Sequence, residues 1–229
     1  QIYFDFSAYS DMAIGLGLIF GFTLPLNFNS PYRARSLQDF WRRWHMTLSS
    51  FLRDYLYVPL GGSHKGVKRQ ICATIVTMGL CGLWHGAGWT FIIWGFWHGF
   101  GLIVGMFWKI LRLRLGTFNI PFLISWALTM LFVVLGWVFF RAENFQTVGH
   151  MFQAMFGLEP SGSNLVHPVK TWYLALGLFV VLLMPNSQTL ALEKLRSSSL
   201  IAAFLGLILG VIFFELGKGS IEEFIYFEF

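Results

Sequence analysis

The 229-residue sequence predicts an all-α, multi-pass transmembrane helical protein, and three observations carry that prediction. Hydrophobic residues make up 56% of the chain and charged residues 12%, with a mean hydropathy of +0.63, outside the usual balance of a soluble domain. Apolar runs with few or no internal charges recur along it, on the scale of the ~20 residues a helix needs to cross a bilayer. The cations are also clustered: half of the sixteen Lys and Arg fall between positions 33 and 69.

Taken in order, the opening stretch QIYFDFSAYSDMAIGLGLIFGF reads as an apolar helix that starts already at membrane depth. With Gln1 first and no signal peptide before it, the sequence reads as the C-terminal portion of a longer chain. Asp5 and Asp11, six apart in this helix, read as carboxylates lining a cavity or, more simply, as buried partners of an arginine.

The next segment, 36–60 (SLQDFWRRWHMTLSSFLRDYLYVPL), carries too many charges to span a membrane and is predicted to be an interfacial helix. Ser36 and Asp39 suit an N-terminal capping box, and Pro59, Gly61 and Gly62 suit its end. A 3.6-residue period puts Trp41, His45, Leu48 and Leu52 on one side.

Basic clusters at 33–69 and at Lys109, Arg112 and Arg114 flank the segment 71–108, so by the positive-inside rule both of its ends face the cytoplasm. The way in, 71–84, is only about 20 Å long as a helix. A re-entrant or transmembrane segment with its turn near His85 at membrane depth is therefore expected, where irregular backbone must be packed in protein or line a cavity. Gly82, Gly86 and Gly88 fit such a turn, and they permit either close backbone approach by a substrate chain or helix packing through small residues. Cys72 and Cys81, nine apart, match no metal or redox spacing and read as small core residues. Beyond them, 120–140 crosses outward, 141–170 forms an external loop, 171–184 returns, Lys194 and Arg196 lie inside, and 199–216 crosses once more.

Chemistry concentrates in CGLWHGAGWTFIIWGFWHG, residues 81–99, where His85 and His98 stand among Trp and Gly. An ionisable residue within a bilayer is costly and generally lines a site or pathway. A neutral imidazole can serve there as a general base. His98 lies some 20 Å from His85 along a continuous helix, a spacing that paired haem ligands use. None of His45, His64, His150 or His167 supplies the opposing pair, so His98 is read as structural. HExxH, CxxC, GxxxxGK[ST] and GxSxG patterns are all lacking, which leaves zinc hydrolysis, phosphate-loop chemistry and serine-elbow hydrolysis without support. The basic stretch is explained by cytoplasmic placement beside anionic membrane lipids rather than by nucleic acid.

SPYRARSLQDFWRRWHMTLSSFLRDYLYVPLGG, CGLWHGAGWTFIIWGFWHG, GWVFFRAENF and the ending EEFIYFEF together resemble the membrane-bound O-acyltransferase (MBOAT) family, most of all its alginate O-acetyltransferase type. The likeness runs the length of the chain, which would be the C-terminal half of a ring of tilted helices around a thin centre, in relatives about twice its length. It implies an enzyme of the bacterial inner membrane that moves an acetyl group from a cytoplasmic thioester, acetyl-CoA or another, toward an exported polysaccharide. Periplasmic or extracellular acetylation proteins would be its partners, and no bound cofactor or metal is implied. His85 would correspond to the family's central histidine and His45 to its second polar residue, with Trp41, Arg43, Ser49 and Trp84 as candidate substrate-binding neighbours. The alternatives are a D-alanyl transferase of the teichoic-acid type, which uses a carrier-protein thioester, and a transporter or scaffold without chemistry.

Overall fold

The structure is a computed structural model that describes residues 1–116, 120–158, 168–195 and 198–217. Among these residues there are nine α-helices and no strand: α1 (Ile2–Ile19), α2 (Leu37–Trp41), α3 (Met46–Leu52), α4 (Val67–His85), α5 (Trp89–Leu115), α6 (Phe122–Arg141), α7 (Phe145–Met155), α8 (Pro168–Leu183) and α9 (Ser199–Gly217). His167, Arg196 and the EEFIYFEF ending lie outside the described residues. The chain divides into two compact units, 1–24 with 185–229, and 25–184.

In the first unit, Asp11 of α1 accepts hydrogen bonds from the Ser187 hydroxyl and the Gln188 amide. The aspartate is thus held by neutral polar groups where an arginine was expected. A π-helical turn, Thr189–Lys194, and then α9 follow.

The second unit is organised around the α4–α5 hairpin. Its helices approach at backbone distance: a Cβ at Gly82 would fall on the Phe91 carbonyl oxygen, and one at Gly95 on the Met78 carbonyl oxygen. Small residues permit this approach, so for Gly82 the packing reading holds. Cys81 is buried in this unit, whereas Cys72 is exposed and not a core residue. The third layer is α6. Trp97 of α5 stacks on Phe132 at 4.5 Å and its indole N–H donates to the Phe132 carbonyl at 3.0 Å. At the end of α6, Val138 and, just past the last helical residue, Ala142 pack with Val148 of α7. So the stretch 141–170, expected as a loop, contains a helix capped by the Asn144 side chain on the Thr147 N–H.

Both α5 and α6 are long and apolar enough to cross a membrane. The apolar parts of α8 and α9 run over Thr171–Leu183 and Ser199–Phe214, shorter than those two.

Two expectations about local geometry change. Residues 36–60 do not form one helix: α2 starts as expected, with the Ser36 hydroxyl accepting from Asp39 N–H at 3.1 Å, but the chain breaks after Trp41, resumes as α3, and passes into a π-helical turn at Arg53–Tyr57. The helix preceding the WHG turn starts at Val67, giving 19 residues, or about 28 Å. Its length alone therefore does not force the turn to lie deep within the bilayer.

Candidate active site

The break in the 36–60 segment is where one candidate histidine sits. Residues 27–29 lie beside the turn at 43–46, with Asn29 N–H donating to the Arg43 carbonyl and Met46 N–H to the Asn27 carbonyl, both at 2.9 Å. At its tip His45 takes a left-handed conformation, φ 44° and ψ 55°. A non-glycine residue there costs of order 1–3 kcal/mol and persists only where the surroundings enforce it. Here they do: the Asn27 side-chain oxygen lies 3.0 Å from His45 Nδ1, 2.9 Å from Thr47 Oγ1 and 3.4 Å from Thr47 N. His45 is buried, and burial pushes its imidazole down to about 4, so the ring is neutral at pH 7.

His85 is the last residue of α4 and is also buried. Three rings meet it near-perpendicularly: Trp84 at 4.9 Å, Trp94 of α5 at 5.2 Å and Phe140 of α6 at 5.1 Å between centroids. Gly86, next in sequence, has to be glycine for want of room, since a Cβ there would meet the Phe91 ring at 2.7 Å. Trp84 links the two histidines. Its ring lies 6.3 Å from His45 and 4.9 Å from His85, so the imidazoles are no farther apart than those separations end to end, roughly 11 Å.

The predicted substrate-binding residues separate. Trp84, 63% exposed, is at the site. Trp41 and Ser49 line a cleft of about 290 Å³ together with Arg42, Arg53 and Thr77, and the Ser49 hydroxyl donates to the Trp44 carbonyl. Arg43 is elsewhere: it pairs with Asp39 at 2.8 Å, donates to the Asn29 carbonyl, and lines a different cleft with Arg33 and Arg35.

His98 is fully buried on α5, stacked on Phe40 and edge-on to Trp41 and Trp94, with no hydrogen-bond partner for either nitrogen. It does not continue the helix that carries His85, because residues 86–88 turn the chain between them.

Sequence reasoning missed Asn27, Trp94 and Phe140. Trp94 and Phe140 looked like generic membrane aromatics. Asn27, in LPLNFNSP between two prolines, gave only a loop signal.

Residues 1–146, which hold both histidines of the site together with Asn27, Trp84 and Phe140, match the membrane-bound O-acyltransferase family, MBOAT. A peptidoglycan O-acetyltransferase of Helicobacter pylori is 50% identical over 172 residues, 74% of this chain and 32% of that protein. A probable alginate O-acetylase of Pseudomonas fluorescens is 49% identical over 199 residues, 86% of this chain and 38% of that protein. A teichoic acid D-alanyltransferase of Streptococcus thermophilus is 35% identical over 115 residues, 47% of this chain and 28% of that protein. The chain thus spans about a third of the length of the curated relatives it matches. An all-helical architecture with two helices long and apolar enough to cross a membrane and a family match over more than half the sequence agree with one another: the chain belongs to the membrane-bound O-acyltransferase family.

Proposed function

We propose that the protein containing this chain is an O-acetyltransferase of the bacterial inner membrane, crossing it several times and supplying acetyl groups for an exported polysaccharide. The observation that carries this reading is the pair of buried imidazoles that both meet the Trp84 ring. The names of the two half-identical relatives, a peptidoglycan O-acetyltransferase and a probable alginate O-acetylase, support a hydroxyl of a polymer, or of a protein that serves it, as the final acceptor.

In this reading the hydroxyl attacks the thioester carbonyl while His85 takes its proton. Collapse of the tetrahedral intermediate expels the thiolate, which recovers that proton and leaves the imidazole neutral for another turnover. His45 is the second polar group, placed to hold the thioester or meet the charge that develops on it. The interfacial segment 36–60 and the hairpin within 71–108 are the two parts that meet there. The donor arrives from the cytoplasm as acetyl-CoA or another acetyl thioester, and secreted acetylation proteins receive the group on the far side.

The test is label transfer in permeabilised cells expressing the full-length protein. Acetyl-CoA labelled in its acetyl group should give alkali-labile esters that depend on the protein. Label transferred only from D-alanine on a carrier protein would replace this reading with D-alanylation, and no protein-dependent ester from either donor would leave the transporter or scaffold reading.

A further inference from the structure

The atom of Asn27 that meets His45 can be identified chemically. It also lies 3.4 Å from the backbone nitrogen of Thr47, which can only donate, so it must be the amide oxygen. An amide oxygen cannot donate. The His45 Nδ1, 3.0 Å from it, must therefore carry the hydrogen, and in the neutral ring the lone pair belongs to Nε2.

We infer that Asn27 is a positioning residue that locks His45 in its Nδ1–H tautomer, so that His45 meets the substrate as a hydrogen-bond or proton acceptor through Nε2 and not as an oxyanion donor. This rests on the acyltransfer reading of the site and, of the two parts proposed there for His45, keeps the holding of substrate and excludes the stabilisation of a developing oxyanion. Three donors converge on one oxygen: His45 Nδ1–H, the Thr47 N–H and the Thr47 hydroxyl. The same residue fixes the turn through its own carbonyl, which accepts from Met46. Asn27 therefore sets both the left-handed backbone of His45 and the proton on its ring. Phe28 at 6.5 Å and Trp84 at 6.3 Å are among the rings that meet the imidazole, and Trp84 also meets His85, a titratable neighbour. Of the charged residues on its own segment, Arg43 and Asp39 are paired with each other.

The three contacts to the Asn27 oxygen from His45 and Thr47 are all made by donors, so a carboxylate oxygen of the same shape accepts them equally. Asn27→Asp in the full-length protein should therefore keep substantial acetyl transfer at pH 8. The added negative charge raises the pKa of His45, so neutral His45 is lost as pH falls. Transfer from labelled acetyl-CoA in permeabilised cells, measured as the ratio of rates at pH 8 and pH 6, should stay near one for the wild type and rise several-fold for Asn27→Asp. Asn27→Leu, which has the volume but no acceptor, should lose at least tenfold at both pH values. The ratio is taken within each variant and so does not depend on its abundance.

The wild type supplies a direct readout. In full-length protein with ¹⁵N-labelled histidine rings, the His45 resonances, assigned by loss in His45→Gln, should be pyrrole-like for Nδ1 and pyridine-like for Nε2. The reverse tautomer, or an Asn27→Asp ratio equal to that of the wild type, overturns the inference. His45→Gln separates the two levels. If it transfers normally, the reading of the site itself falls; if it is inactive while Asn27→Asp shows a wild-type profile, only the role of Asn27 falls.

Discussion

His85 and His98 lie against the same indole, Trp94, at 5.2 Å and 5.0 Å between ring centroids, although they belong to different helices. Their surroundings differ in one respect that bears on function. His85 has Trp84 on one side, a largely exposed ring, whereas His98 is enclosed wholly by the interior.

Substituting His85 tests the base directly. His85→Ala and His85→Gln in the full-length protein should each lower acetyl transfer by about 10²- to 10⁴-fold, the usual worth of positioned proton transfer. The check is ester content of the exported polymer normalised to protein in the membrane. Near wild-type ester content with either variant would return His85 to a packing role.

The opposite outcome is expected at His98. Two buried ring nitrogens without partners cost stability, so His98→Phe, apolar and similar in shape, should be close to neutral and leave transfer largely unchanged. His98→Ala opens a cavity and should cost about 2–4 kcal/mol. Thermal unfolding in detergent distinguishes them, and a tenfold loss of transfer in a stable His98→Phe protein would show that His98 has chemistry after all.

Trp84 is expected to matter through position more than through stability. Its exposure limits the stability loss of Trp84→Ala to about 1 kcal/mol or less. Transfer should nevertheless fall at least tenfold, because the ring that meets both His45 and His85 is gone, and Trp84→Phe should recover much of it. Full activity in Trp84→Ala would remove the indole from the site.

At the α4–α5 contact, Gly82→Ala and Gly95→Ala each place a methyl group against a backbone carbonyl that cannot rotate away. Overpacking of this kind costs about 1–3 kcal/mol. Both variants should reach the membrane in reduced amount and melt at lower temperature, while Gly149→Ala, where a Cβ meets open space, should behave as wild type. Unchanged melting for Gly82→Ala would contradict the close approach of the hairpin.

What could be read from the sequence follows from how local each cause is. The apolar runs around 120–140, 171–184 and 199–216 foretold α6, α8 and α9, because a helix that satisfies its own backbone in lipid is written in one continuous stretch. Ser36 foretold the start of α2 for a similar reason, as its partner Asp39 is only three residues away. The break at 42–45 has no such signature. It depends on Asn27, eighteen residues upstream, and on its three donors, so helical periodicity ran through a turn that a distant side chain imposes. His45 and His85 were legible as candidates through residue type and the family motif. Trp94 and Phe140, which enclose His85, were not, since nothing in their own neighbourhoods separates them from the other aromatics of the chain.

The left-handed backbone at position 45 makes the residue there answer to two separate selections. On the proposed acyltransfer reading its side chain must suit the chemistry, and its main chain must bear a conformation that β-branched and most other L-residues resist but asparagine, aspartate and glycine accept readily. An alanine scan at this position therefore removes an imidazole and loads the turn at once, and the resulting defect mixes two causes. His45→Asn keeps a polar side chain suited to the turn, so the difference between it and His45→Ala measures the conformational share. By the same reasoning, proteins with this turn have a narrow set of substitutes open to them at 45, and drift at that site is restricted by geometry even where the demand for an imidazole is relaxed.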